Sequence, residues 1–308
     1  MTKTVLITGG TGSVGKAFCK LAIGEGWKVH VLTRNKKRTS KDSSLKYFSW
    51  NPEHKEIDEK CFENVSSIVH LAGDPIFGML WTKSRKKSIK SSRIDSIDFL
   101  FQRIPSWQRP YIESLISASA IGIYKANTSE ILVEDSTKGN DFLAEVCLKW
   151  EDKIKELAEI NAIREVRFRN GMVFSSTEGV YTLLNKLGKL GLLSTPGNGK
   201  QLVPWVHVED VAFNLLRAIT HKSYTGAYNM VAPEYNNMEE ITEKILKNKG
   251  NFRIMKEVPE SLLKFALGEM STLILNSYLV KPDRLLKLGY SFKYPSLDLA
   301  FANLRTKN

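Results

Sequence analysis

Residues 5 to 15 read Val-Leu-Ile-Thr-Gly-Gly-Thr-Gly-Ser-Val-Gly, an apolar run that breaks into glycines and then opens a helix-patterned segment. No other stretch constrains the fold as strongly. Gly9, Gly12 and Gly15 stand three apart, and Gly10, Gly12 and Gly15 also satisfy G-x-G-x-x-G. A diphosphate can lie against a helix N-terminus only where no Cβ blocks the backbone's approach, so glycines in this place have a chemical reason. The context carries more than the spacing does. Lys3–Thr8 is rich in β-branched residues, and Val14, Ala17, Phe18, Leu21 and Ala22 recur at helical spacing over Ser13–Glu25. Strand, glycines and helix in this order predict a dinucleotide site, with Gly9, Gly12, Ser13, Val14 and Gly15 around the diphosphate. A tight turn without ligand is the plainer alternative.

Further along, strand and helix patterns alternate. Lys28–Thr33 reads as a second strand, Lys46–Ser49 as a short one, and Ser67–Gly73 as a strand ending in a small-residue turn. A helix over Lys83–Ile104 closes at Pro105, followed by a strand at Tyr111–Ser117, a helix at Asp141–Ile160 and a strand at Arg164–Phe168. The alternation predicts an α/β fold with a doubly wound parallel sheet of the Rossmann kind. Such sheets bind ligands beyond the carboxyl ends of their strands, which puts Arg34, Ala72–Gly73, Ser117–Ser119 and Asn170 on one rim. After about residue 175 the pattern loosens. Leu183–Leu193 is apolar, Gly197–Gln201 is a loop, Trp205–Asp210 leads into a helix ending near Thr220, Gly226–Val231 is a short strand, and Met238–Asn248 is helical. The expected division is a nucleotide-binding domain over 1–174, with 202–231 packing back on it, and a smaller C-terminal α/β lobe over 175–308 that supplies the substrate pocket.

At 308 residues, with 42% hydrophobic and 25% charged residues, the chain can bury a substantial core. No window of about 18 apolar residues exists, so no membrane span is expected. The first strand starts too early to leave room for a secretory signal. Cys19, Cys61 and Cys147 are odd in number and widely spaced, which argues against disulfides and zinc; a reducing cytoplasm or organelle matrix fits. Within a net charge of +12, two basic runs stand out, Arg34–Arg38 and Lys83–Arg93. Neither is interleaved with stacking aromatics, so no specific nucleic-acid partner is expected and phosphate binding accounts for part of the charge.

The end of the second strand selects the cofactor. An NAD site places Asp or Glu there for the ribose 2′-hydroxyl, whereas a 2′-phosphate needs a cation. Thr33 and Arg34 occupy the position, and no acidic residue appears between Glu25 and Asp42. Arg34 offers a planar fork to a phosphate and Thr33 adds a hydroxyl, which predicts NADP(H).

With those features in hand, the chain resembles the atypical or extended branch of the short-chain dehydrogenase/reductase (SDR) superfamily, and within it the epimerase-family proteins of the cell-division-inhibitor-like group. The residues carrying the resemblance include Leu32–Arg34, His70–Gly73, Ser92–Ile94, Ser117–Ala120, Trp150–Glu151, Gly199–Gln201 and Trp205–Asp210. The resemblance implies NADP binding through the glycine loop, Thr33 and Arg34, with Leu71, Ala72 and Gly73 beside the adenosine. It also implies Ser117 at the cleft and Arg93 directed toward a cofactor or substrate phosphate. In most of the superfamily a Ser or Thr works with Tyr-x-x-x-Lys on the next helix, the lysine lowering the tyrosine pKa for proton transfer. None of the ten tyrosines here is followed by Lys four residues later. The matching helix carries Leu143 and Cys147, or Phe142 and Val146 in the neighbouring register.

Two functions therefore stand open. The first is an oxidoreductase or epimerase acting on an unidentified small molecule through Ser119 and Tyr124, with Ser117, Lys125, Gln201 or His207 in support. The second is an inactive NADPH-dependent binding or regulatory protein. For each residue there is a structural alternative: Tyr124 as a packed aromatic, Ser119 as a turn cap, His207 as a helix-entry hydrogen bond, and Asp210 as a first-turn helix charge.

Overall fold

The computed structural model describes residues 3–247 and 254–306. β1 (Thr4–Thr8) is buried at every position, as a strand covered on both faces must be. Val5 and Ile7 point to one face of the sheet and Leu6 to the other, so successive residues feed two different cores. α1 (Ser13–Gly24) follows, then β2 (Lys28–Thr33), β3 (Leu45–Asn51), the short β4 (Glu56–Ile57) and β5 (Val65–His70). α2 (Lys83–Gln102), β6 (Ser114–Ala120), α3 (Phe142–Ile160) and β7 (Arg164–Asn170) complete the first part. The rest comprises β8 (Met172–Phe174), α4 (Val180–Lys189), β9 (Thr195–Pro196), β10 (Trp205–His207), α5 (Val208–Thr220), β11 (Gly226–Met230) and α6 (Met238–Leu246). β12 (Glu257–Val258), α7 (Glu260–Leu267), α8 (Thr272–Leu275), α9 (Asp283–Lys287) and α10 (Leu297–Thr306) end the described chain.

The main sheet has the order β11-β7-β6-β5-β1-β2-β3-β4, parallel throughout except for the β3–β4 pair. The chain runs outward from β1 through β2 and β3, then returns to β5 and builds the other way. Strand order therefore reverses between β1 and β5, which opens the ligand crevice above Thr8 and His70. α1 and α5 cover one face through Phe18, Ala22, Val211 and Leu215, and α2 and α3 cover the other through Ile97, Leu100, Trp150 and Ile154. Residues 205–230 return to this body, with β11 hydrogen-bonded to β7 as a sheet edge. A separate core of Phe174, Tyr181, Trp205, Ile241 and Phe301 holds the C-terminal elements together.

Several boundaries differ from the sequence expectation. The strand expected at Tyr111–Ser117 runs over Ser114–Ala120, because Pro110 sets a 3-10 turn at Arg109–Tyr111. The apolar stretch Leu183–Leu193 divides: α4 ends at Lys189, and Gly191 at φ +71 turns the chain away. α6 ends at Leu246, and Asn248 lies outside the described residues.

Candidate functional site

The glycine turn separates by function. Gly9 has φ +69, and a Cβ there would lie 2.7 Å from the Leu71 carbonyl carbon. On Gly15 it would lie 2.3 Å from the Gly9 oxygen, and on Gly10 2.8 Å from Val31 Cγ1. The protein's own packing requires these three. Gly12 has φ −79, and the nearest atom to a Cβ is 3.5 Å away, so nothing in the fold demands glycine at this position. It stands directly before α1, which begins with Ser13 and Val14 without a side-chain cap and without an acidic residue in its first turn. The unpaired N–H groups of a helix start together with its positive dipole end form an anion cradle. Gly12 leaves the N-cap position of this helix start without a side chain.

Thr8 and His70 close the floor of the crevice. They face each other in register at the ends of β1 and β5. Thr8 Oγ1 accepts hydrogen bonds from the backbone N–H of Leu71 (3.2 Å) and Ala72 (3.1 Å), so its own hydrogen goes to His70 Nδ1 at 2.9 Å. The His70 proton then resides on Nε2, 3.3 Å from the Arg93 carbonyl. Burial drives the imidazole pKa down to about 3, with the Arg93 carbonyl opposing and the Arg93 charge adding to the shift. The ring is a neutral strut that fixes where the Leu71–Gly73 turn departs. Thr8 was not legible as a site residue; two polar residues ending adjacent apolar strands were the available signal.

Arg93 departs from the expectation that it reaches toward a phosphate. Its guanidinium donates to the carbonyls of Ile89 (2.9 Å) and Asp74 (3.1 Å) and lies 5.4 Å from the Trp150 ring centroid. A Cβ on Gly73 would meet its Cζ at 2.9 Å. In this arrangement the arginine clamps the Gly73–Asp74 turn from beneath. Thr33 is buried at the end of β2, where its hydroxyl accepts from the Asn35 N–H at 3.2 Å. Arg34 is exposed and makes no hydrogen bond or ion pair with any described residue, whereas its neighbour Lys36 pairs with Glu56 at 3.1 Å.

The strand-end serines lie deeper than a reacting group ordinarily does. Ser117 is fully buried and donates to the Ala118 carbonyl at 2.8 Å. Ser119 donates to Glu151 Oε1 at 2.8 Å, and that carboxylate also receives Arg169 Nε at 2.8 Å, a second Arg169 nitrogen at 2.8 Å and Arg167 at 2.9 Å. Burial would raise the Glu151 pKa, but the Arg169 hydrogen bond and the two guanidinium charges overcome it, and the carboxyl stays below its ordinary range. Glu151 is thus a buried anion that holds the Ser119 hydroxyl hydrogen.

Tyr124, the sequence candidate for a substitute acid, has no exposed surface. Its phenol donates to Asn229 Oδ1 at 2.6 Å and accepts from Arg169 at 2.8 Å. Burial pushes its pKa up to about 12 against the opposing charge of Arg169. Both features favour the packed-aromatic alternative over proton transfer to a substrate. Lys138 lies 4.8 Å from the Tyr124 ring centroid and donates to the carbonyls of Glu134 and Ser136. Burial, reinforced by Arg169, brings its pKa down to about 8.

Phe142, Leu143, Val146 and Cys147 are all buried. His207 caps α5 by accepting from the Glu209 N–H at 3.2 Å and lies against Tyr294, with ring centroids 3.8 Å apart. Gln201 donates to the carbonyls of Pro196 and Ile274. Asp210 lies in the first turn of α5, as expected, and is buried there, accepting from the Tyr290 hydroxyl at 2.5 Å and from the backbone of Lys293 and Tyr294. Lys125 is exposed.

The sequence pattern of the NmrA-like family matches residues 1–61, and that of a domain of unknown function, DUF1731, matches residues 258–304. Over 301 residues the chain is 32% identical to the epimerase family protein YfhF of Bacillus subtilis, covering 97% of each chain. It is 31% identical over 295 residues to the chloroplastic epimerase family protein SDR39U1 homolog of Arabidopsis thaliana, covering 94% of this chain and 83% of that one. Among solved structures, human epimerase family protein SDR39U1 (isoform 2) with NADPH matches with a TM-score of 0.81 at 23% identity, over 99% of this chain and 100% of that one. The nucleoside-diphosphate sugar epimerase from Corynebacterium glutamicum matches with a TM-score of 0.76 at 28% identity, over 98% of this chain and 58% of that one.

Proposed function

This chain belongs to the epimerase family within the atypical short-chain dehydrogenases/reductases, and from that premise we propose that it binds NADP(H) and acts as an oxidoreductase or epimerase on a small-molecule substrate without a Tyr-x-x-x-Lys pair. The observation that carries the cofactor reading is Gly12, the one glycine of the turn that the fold itself does not need, set before an uncapped helix start. Gly9 and Gly15 shape the turn, Ser13 and Val14 present their N–H groups to the diphosphate, and Leu71, Ala72 and Gly73 form the wall on the adenosine side. Arg34, exposed and without an anionic partner, holds the 2′-phosphate with Thr33 beside it. Arg93 acts as a positioning residue for the 73–74 turn. NADPH when bound supplies a hydride. Ser117 and Ser119 lie toward the end of β6, and Ser119, its hydrogen held by Glu151, is left to act toward a substrate as an acceptor.

A second reading, a nucleotide-dependent regulatory protein without turnover, draws support from the burial of Tyr124 and of the four α3 positions. Isotope exchange separates the two: with a panel of carbonyl compounds and sugar nucleotides, deuterium leaves 4-deuterated NADPH in an enzyme and stays in place in a regulator. The cofactor assignment has its own test. Arg34→Asp should reverse or abolish the preference for NADPH over NADH in a fluorescence titration, and an unchanged preference would overturn it.

A further inference from the structure

Two apolar segments stand uncovered beside the crevice. The first is the loop over residues 75–81, which follows the Leu71–Gly73 turn at the carboxyl end of β5 and reads Pro-Ile-Phe-Gly-Met-Leu-Trp. Surface loops are ordinarily polar. Here Phe77, Met79 and Leu80 are exposed, Met79 by 59%. The second segment is α7, Glu-Ser-Leu-Leu-Lys-Phe-Ala-Leu, which holds five apolar residues out of eight and buries none of them. A helix this short draws its stability from packing an apolar face. Leu263 and Leu267 are half-buried, but Leu262 is exposed and Phe265 is 89% exposed.

The two segments are tethered to one place. Ile76 and Trp81 of the loop and Leu273 of α8 pack against Phe142, Leu143 and Val146 at the start of α3. The Trp81 and Phe142 ring centroids are 5.0 Å apart, and Trp81 Nε1 donates to the Ile76 carbonyl at 2.8 Å, which ties the two ends of the loop together. Lys86 of α2 pairs with Glu269, in the turn that joins α7 to α8. Leu143 itself stands at the carboxyl end of β6: a Cβ on Gly122, two residues past that strand, would lie 3.3 Å from the Leu143 Cβ. The loop and α7 thus meet on the crevice rim beside the strand that carries Ser119.

The charges set among these side chains are matched. Arg85 pairs with Asp74 at 3.2 Å, Lys86 with Glu269, and Lys264 with Glu260 at 2.8 Å. A diphosphate calls for cations free to meet it. Exposed apolar and aromatic side chains grouped at a crevice instead mark contact surface for an apolar ligand.

We propose that the small molecule taken by this site is uncharged, with an apolar aryl or alkyl body held between the 77–80 tip and α7, and is not a sugar nucleotide. The inference rests on the reading of the crevice as an NADP(H)-dependent site and names its substrate class. Phe77, Met79, Leu80, Leu262 and Phe265 are the specificity-determining side chains.

The test is fluorescence titration of N-phenyl-1-naphthylamine, a neutral apolar probe, into the full chain, the double variant Met79→Ser/Phe265→Ser, and Trp107→Ser. Trp107 is also exposed but precedes β6, at the opposite end of the sheet. The parent should bind the probe saturably, the double variant roughly tenfold more weakly, and Trp107→Ser as the parent does. All three side chains are exposed, so melting temperatures should match the parent's. NADPH titration of the same proteins separates the two readings. A parent that binds the probe but not NADPH refutes the cofactor assignment and leaves the apolar site standing, whereas one that binds NADPH but not the probe refutes the apolar substrate alone. Equal probe affinity in parent and double variant, displacement of the probe by UDP-glucose, or a lowered melting temperature in the double variant would overturn the inference. A parent that sediments as a dimer, with Phe265→Ser a monomer, would assign α7 to a second copy of the chain and overturn it equally.

Discussion

Replacing Glu151 with Gln removes one charge from the most densely paired buried cluster among the described residues, at almost no change in shape. The Glu151 side chain is 4% exposed, and those of Arg167 and Arg169 are 7% and 5% exposed, so water cannot stand in for the lost partner. Arg167 keeps its two-point contact with Glu165, at 2.7 and 2.9 Å. Arg169 keeps only neutral partners, the Tyr124 hydroxyl and the Glu134 carbonyl. One buried guanidinium is thus left uncompensated, and the new amide N–H₂ points its donors at other donors. Breaking a buried pair in this way costs about 3–5 kcal/mol. For a chain of this length that corresponds to a fall in Tm of roughly 5–8 °C in a calorimetric scan.

The effect carries a pH signature. The Glu151 carboxyl titrates below its unfolded value of about 4.3, so its contribution is fully present above that pH and is lost as pH falls through the folded pKa. Parent and variant should therefore differ at neutral pH and converge in strong acid. An unchanged Tm at pH 7, or a gap that widens in acid, would refute the account of the cluster as a set of mutually dependent charges.

Two further outcomes follow from the crevice. Gly12→Val should abolish NADPH binding while shifting Tm by less than a degree or two, whereas Gly15→Ala should lower Tm markedly even without cofactor; equal destabilisation by both would remove the distinction drawn between the glycines. His70, with a folded pKa of about 3 against about 6.5 when unfolded, contributes stability above pH 6.5 that drains away toward pH 3. His70→Asn should flatten the acid limb of a Tm-against-pH curve between those values, and an undiminished slope would contradict it.

The parts of the fold that rest on local pattern were legible in the sequence. The glycine turn, the alternation of strand and helix, and the basic end of β2 depend on neighbours a few residues apart, and hydrophobic period reads those well. The β6 boundary was shifted by a proline turn, a local effect of the kind that moves element ends. What the sequence did not convey is long-range pairing of polar groups. Ser119 with Glu151, Tyr124 with Asn229 and Arg169, and Thr8 with His70 bring together residues 32, 105, 45 and 62 positions apart. Each side chain was visible as polar or aromatic, but whether its hydroxyl faced a ligand or another buried group depended on the register of strands that no single stretch encodes.

The edge strand of the sheet has a consequence for how the chain is made. β7 ends at Asn170, yet β11, its partner on the outer side, begins only at Gly226. At about 5–20 residues per second, a ribosome takes roughly 3–11 s to synthesise the intervening segment. For that interval β7 presents an unpaired row of backbone donors and acceptors, the kind of edge on which nascent chains aggregate. Its sequence, Arg-Glu-Val-Arg-Phe-Arg-Asn, alternates charge with apolar residues. Arg167 and Arg169 meet Glu151 on α3, which is already made, whereas Arg164 reaches the carbonyls of Ile219 and Tyr224 only once that segment follows; until then its charge discourages a neighbouring polypeptide from adding itself to the sheet.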